Sequence, residues 1–205
     1  MMKPVLLIAV IGHVLCGICD CLLGYSPNGR LDLKGALKSP EKMRAVFRDY
    51  PVKWAMISIL LGVYAITAFG FGYFALSRWM AQYSEAASAV MFVSAVIFLI
   101  SIVVHHIICG LVEWLYVKLG RTDEAREAVL EFQMKTIATM IAGYLGLLTF
   151  LVTLFILILT GKTALPQWAC VINTLSFMII LLPAKIPAKG NLAGACMFLG
   201  LFLLL

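Results

Sequence analysis

Long apolar runs almost without charge, separated by short charged segments, constrain this chain more than any other feature. The runs fall at about residues 4–23, 54–76, 87–117, 136–159, 168–182 and 191–205. A bilayer core takes about 20 apolar residues to cross as helix. Inside it each segment must satisfy its own backbone hydrogen bonds, which leaves helix as the reading for every run. Composition agrees. The chain is 63% hydrophobic and 13% charged, with a mean hydropathy of +1.02. Soluble domains hold about 45–50% apolar and about 25% charged residues. The expected fold is an all-α integral membrane protein, one transmembrane domain over 1–205 with about six helices. The third run exceeds a bilayer and should tilt or protrude. The last is short and lacks a polar flank, which suits a short sixth helix or a curtailed one.

The net charge of +6 would suggest nucleic acid in a soluble protein. Here its distribution gives another explanation. Loops one, three and five carry Arg30, Lys34, Lys38, Lys42, Arg44, Arg48, Lys53, Lys118, Arg121, Arg126, Lys135, Lys185 and Lys189. The other side carries only Lys3, Arg78 and Lys162. Excess Lys and Arg mark cytoplasmic loops. The expectation is that loops 25–53, 118–135 and 183–190 are cytoplasmic and the N-terminus is outside, with no nucleic-acid partner. Within loop one, Ser39-Pro40-Glu41 reads as a helix start, with Ser as cap, Pro in the first turn and an acid at the positive end. That helix, to about residue 48, should lie at the membrane surface with Met43, Val46 and Phe47 on one side. Thr122-Asp123-Glu124 starts another helix leading into the fourth run. Met1-Met2-Lys3 before an apolar run resembles a secretory leader. However, His13 and Asp20 interrupt the run and no small-x-small cleavage site follows, so it reads as a retained span.

Two stretches repeat. His13-Val-Leu-Cys16-Gly17-Ile-Cys-Asp20 aligns with His106-Ile-Ile-Cys109-Gly110-Leu-Val-Glu113. After a two-residue gap Tyr25, Gly29, Arg30 and Asp32 align with Tyr116, Gly120, Arg121 and Asp123. His and Cys are scarce here, so the match points to internal duplication, with repeat one at about 4–77 and repeat two at about 87–160. Residues 167–205 hold the C-terminal spans. Units of two spans enter the membrane in the same direction, which is the parallel-repeat case. Spans one and three then face each other, with His13 at the depth of His106 and Asp20 at that of Glu113. His, Cys and acid at i, i+3 and i+7 share a helix face.

Ionisable residues in spans are costly and usually face the bundle interior. His13, Cys16, Asp20, His106, Cys109 and Glu113 are therefore the candidate polar site. One reading is a small-molecule or ion site open to the cytoplasmic half. If its two acids approach closely, they share one proton. A second is an intramembrane enzyme, with zinc on His13, Cys16, His106 and Cys109 or haem between the two histidines. A third is an accessory protein in which Cys-Gly gives a smooth packing patch and His and acid bond across it. His105 is about 100° around the helix from His106 and faces elsewhere. Asn173 is either a pocket residue or, by preference, bonded to nearby backbone. Trp54, Trp79, Trp114 and Trp168 read as interfacial belt residues. The remaining cysteines show no zinc-finger spacing.

Gly12-His13-Val-Leu-Cys16-Gly17-Ile-Cys-Asp20, His105-His106-Ile-Ile-Cys109-Gly110-Leu-Val-Glu113-Trp114 and Leu165-Pro166-Gln167-Trp168-Ala-Cys170-Val-Ile-Asn173 together resemble an uncharacterised family of bacterial multi-spanning membrane proteins. The resemblance implies a bacterial cytoplasmic membrane and no activity. Its members look longer at the C-terminal end. The chain carries no GxSxG, HExxH or Walker loop, so enzyme status, substrate, cofactor and oligomeric state stay open. The lipid bilayer is the one expected partner, with a small molecule or ion as possible ligand.

Overall fold

The computed structural model describes residues 2–30, 39–186 and 188–205. Asp32, Lys34 and Lys38, used above for the repeat and for orientation, lie outside the described residues. The fold is all-α. Helix α1 is Met2–Gly24, α2 Pro40–Phe47, α3 Val52–Met80, α4 Glu85–Lys118, α5 Asp123–Lys135, α6 Ala138–Leu159, α7 Thr174–Ile180 and α8 Lys189–Leu204. A 3-10 turn, Gln167–Val171, precedes α7, and a two-residue hairpin pairs Tyr25–Ser26 with Gly29–Arg30.

Four segments are long and apolar enough to cross a membrane: α1, α3, α4 and the stretch Asp123–Leu159 that joins α5 to α6. Each divides its faces by packing rather than polarity. On α1, Leu6, Ala9, His13, Cys16 and Leu23 are buried, while Ile11, Val14 and Ile18 lie exposed on the other side. An apolar outer face is what lipid demands of a spanning helix. At about 1.5 Å per residue, the 34 residues of α4 outrun a bilayer core, as its sequence indicates. The fifth run differs from expectation. It is not one helix over 168–182 but the 3-10 turn followed by seven-residue α7. The physical reason is Asn173. Its backbone is extended and its side chain accepts from Leu175 N–H, so it starts a new helix instead of continuing the old.

The segments close into a ring. Helix α1 packs on α3, α3 on α4, and α4 on α6; α6 meets the 3-10 turn, α7 packs on α8, and α8 returns to α1. Helices α1 and α4 touch only slightly, because α3 stands between them on one side and a cavity on the other. Helix α8 runs antiparallel to α1, with Asn191 beside Asp20 and Phe202 beside Lys3.

The loops after α1, α4 and α7 gather at one end, called here the basic end. Arg44 meets Asp123 at 2.8 Å, the Arg121 guanidinium donates to the Phe47 carbonyl, and Arg30 donates to the Lys185 carbonyl. The N-caps arise where the sequence indicates. Ser39 accepts from Lys42 N–H and Thr122 from Ala125 N–H. Helix α2 turns its apolar side inward. Its Met43 and Phe47 are buried against Leu23, Val112 and Tyr116, so it plugs the basic end of the ring. Two apolar cores result. One at the far end is built on Phe69, Tyr73, Phe150 and Phe198; the other, at the basic end, on Phe47, Tyr50 and Tyr116.

Candidate intramembrane polar site

Between the two cores lies a cavity of about 370 Å³. All six residues of the repeated face, His13, Cys16, Asp20, His106, Cys109 and Glu113, line it. Asn173 does not. Its side-chain amide donates to the Leu151 carbonyl, so it holds backbone, the preferred reading from sequence. The faces of spans one and three thus point into a shared space. Their residues do not pair by equivalent depth, though. Asp20 reaches His106, with Oδ1 3.8 Å from Nδ1. Glu113 bonds Tyr50 instead of the other acid.

His13 sits in a closed pocket. Its ring stacks on Phe69 at 4.1 Å, with Phe198 at 5.6 Å, and lies on Gly194, where a Cβ would come within 2.5 Å of the imidazole. Hydrogen-bond roles follow from its neighbours. The Asn191 amide nitrogen donates to Asp20 Oδ2 at 2.7 Å, so Asn191 presents its oxygen to His13. His13 Nδ1 therefore carries the proton and donates at 3.0 Å. Its Nε2 is left to accept from the Tyr73 hydroxyl at 3.5 Å. Both ring nitrogens are engaged.

His106 has the opposite tautomer. Its Nε2 lies 3.0 Å from the Ser58 carbonyl and 3.3 Å from Ser58 Oγ. That hydroxyl already donates to the Cys19 carbonyl, so both Ser58 oxygens can only accept. Nε2 must then carry the proton, and Nδ1 turns its lone pair to the cavity, toward Asp20. The ring fits there because Gly62 of α3 has no side chain. A Cβ at that position would lie inside the imidazole. His13 and His106 are 3% and 7% exposed, while the Asp20 side chain is 30% exposed.

Glu113 is buried and accepts from the Tyr50 hydroxyl at 2.8 Å. Burial first, then the carboxyl itself, push the Tyr50 hydroxyl above its ordinary value. It stays protonated, and its one hydrogen has the Glu113 carboxyl and the Leu22 carbonyl as alternative acceptors. Cys109 lies 3.5 Å from His105 Nε2, and His105 Nδ1 lies 3.4 Å from the Thr139 hydroxyl. His105 also lines the cavity, so it does not face elsewhere. Tyr144 of α6 lines the cavity as well, yet is 56% exposed on the outer surface of the bundle.

The proposed two-histidine, two-cysteine zinc set is not assembled. Among the described residues, the group whose ligand atoms lie together is Cys16, Asp20 and His106, all within 4.8 Å of one another. A haem between the two histidines does not fit either. His13 has no free nitrogen, and aromatic rings stack against it. Asn191, Tyr73, Ser58 and Tyr50 complete the network but stand out in no motif. Asn191, a lone amide opening the last apolar run, is the one with a signal in the sequence.

A model of a family of unknown function (DUF6796) matches residues 1–205, and the chain belongs to that family. No curated protein and no solved structure among those compared matches it.

Proposed function

We propose that this membrane protein binds a small polar solute or an ion in the cavity and moves it between the cavity and the cytoplasmic side. The observation that carries the reading is the convergence of both His-x-x-Cys faces on one cavity with Asp20 partly exposed within it. Packing alone would satisfy these groups pairwise between touching helices. Here α1 and α4 are held apart, and their polar residues line a shared cavity while bonding to groups of other elements. The cavity extends to the plug formed by Met43 and Phe47 of α2 and to Gln133 of α5, which makes the basic end the route in and out. The charge bias assigns that end to the cytoplasm, in a bacterial cytoplasmic membrane, with the N-terminus outside.

The repeated motif fits this role as an ancestral duplication whose copies have since diverged. Gly29 and Gly120, aligned after the two copies, both have positive φ, at 129° and 83°. The histidines themselves now have different partners. An accessory role, with the polar face serving only as contact, is the competing reading.

The test is a protein retaining Cys109 as its single cysteine, in vesicles of known orientation. A small charged thiol reagent should label it from the basic end and not from the opposite side. Absence of labelling from both sides would mean a dry, sealed cavity and end the proposal.

A further inference from the structure

We infer that Cys16, Asp20 and His106 form a binding site for a divalent transition metal of the zinc class, with its open coordination position on the cavity. The inference depends on the cavity reading only for the metal's way in.

Three separate observations converge. The first is distance. In a tetrahedral zinc site with bonds of about 2.0–2.3 Å, ligand atoms lie about 3.3–3.7 Å apart. His106 Nδ1 and Asp20 Oδ1 are 3.8 Å apart, and all three ligand atoms fall within 4.8 Å. That separation is too long for a hydrogen bond and close to what one shared cation needs.

The second is direction. His106 donates its Nε2 proton to the Ser58 carbonyl, which leaves a lone pair on Nδ1 facing a carboxylate oxygen. Two acceptors facing each other are reconciled by a shared proton or a shared cation, and 3.8 Å is longer than a shared proton spans. Donation of the second ring N–H to a backbone carbonyl is the usual support for a metal-bound histidine. The carboxylate is supported in the same way, because Asn191 donates to its other oxygen and is fixed in turn by His13. Cys16 and Asp20 are one helical turn apart on α1, at i and i+4, a spacing that puts both on one face.

The third is charge. A thiolate, a carboxylate and a neutral imidazole carry two negative charges, so a divalent ion leaves the set neutral in a low-dielectric interior. Binding displaces the thiol proton of Cys16 to solvent, since a coordinating thiol is deprotonated. Mixed S, N and O donors with no fourth protein ligand resemble the open type of zinc site more than the closed structural type. Cys109, Glu113 and His13 lie outside the set, held by His105, Tyr50 and Asn191.

The test is titration of the purified full chain in nanodiscs with cobalt(II), a spectroscopic stand-in for zinc. One equivalent should bind and give the visible bands of tetrahedral cobalt with a thiolate-to-cobalt band in the near ultraviolet. Cys16→Ser should remove the thiolate band. Asp20→Asn and His106→Gln should weaken binding at least tenfold. Cys109→Ser should change nothing. Each variant is first checked for wild-type elution and thermal midpoint; should Cys16→Ser misfold, thiol titration of wild type with and without zinc reads the same residue. No stoichiometric cobalt in wild type, or equal effects of Cys16→Ser and Cys109→Ser, overturns the site. Labelling of Cys109 in those same samples tells whether the cavity reading survives that outcome.

Discussion

His13 and His106 occupy matching places in a repeated motif, yet one is enclosed and the other is poised. His13 has a proton on Nδ1, an aromatic ring stacked on it and a partner at each nitrogen. His106 has its proton on Nε2 and a lone pair facing the cavity. Both rest on a glycine of another helix, Gly194 in one case and Gly62 in the other. The difference comes from the third element around each. Helix α8 supplies Asn191 and Phe198 to His13, while Ser58 of α3 holds His106. A motif that recurs in the sequence therefore need not carry the same chemistry twice. His13 serves as a scaffold that orients Asp20 through Asn191, and His106 faces Asp20 across the cavity.

Substitutions under the rings should separate the two sites most. Gly194→Val should cost about 3 kcal/mol, the upper part of the range for overpacking. Gly62→Val should cost about 1–2 kcal/mol, because His106 can swing toward the cavity. Thermal unfolding in nanodiscs measures both, and equal losses would break the contrast.

Truncating the rings gives the next effect. His13→Ala should lose about 2–4 kcal/mol, since Phe69 and Phe198 cannot close the hole between them. His106→Ala opens onto existing space and should lose about 1–2 kcal/mol. The denaturant midpoints of the two variants check this order.

Tyr50→Phe removes the donor to buried Glu113 and should cost about 1–2 kcal/mol. It should leave the cobalt bands untouched, because Glu113 is not in the proposed set. A changed spectrum would show that the two acids act together after all. Smallest is Arg44→Ala. Its ion pair with Asp123 is about half exposed on both sides, so the loss should be below about 1 kcal/mol and should shrink in high salt.

Much of this fold was legible in the sequence because lipid allows few solutions. Uncharged runs give helices, and Ser39 and Thr122 mark two of the helix starts. The fifth run misled because periodicity does not show a cap inside an apolar segment. Asn173 was visible as polar, but its role depends on the Leu151 carbonyl of another helix. The site was legible in part. The shared His-x-x-Cys-x-x-x-acid face does line one cavity, since scarce polar groups in lipid must point inward. The pairing across it was not. Symmetry suggested His13 at the depth of His106, while the structure places Asp20 opposite His106. That depends on α8, which lies outside the repeat and whose Asn191 carries no motif. What covers the apolar side of α2 was not legible for a related reason. Its apolar side suits lipid and a protein groove equally well, and only the ends of α1 and α4 decide for the groove.

The account depends most on Asp20 and His106 meeting across the cavity. A cysteine-free chain carrying Asp20→Cys and His106→Cys tests this directly with a short bifunctional thiol reagent. Cross-linking should join the N-terminal and central fragments after cleavage between them, and should exceed that of an Asp20→Cys and Glu113→Cys pair, the equal-depth partners. If the symmetric pair joined instead and the Asp20–His106 pair did not, the offset pairing described here would be contradicted.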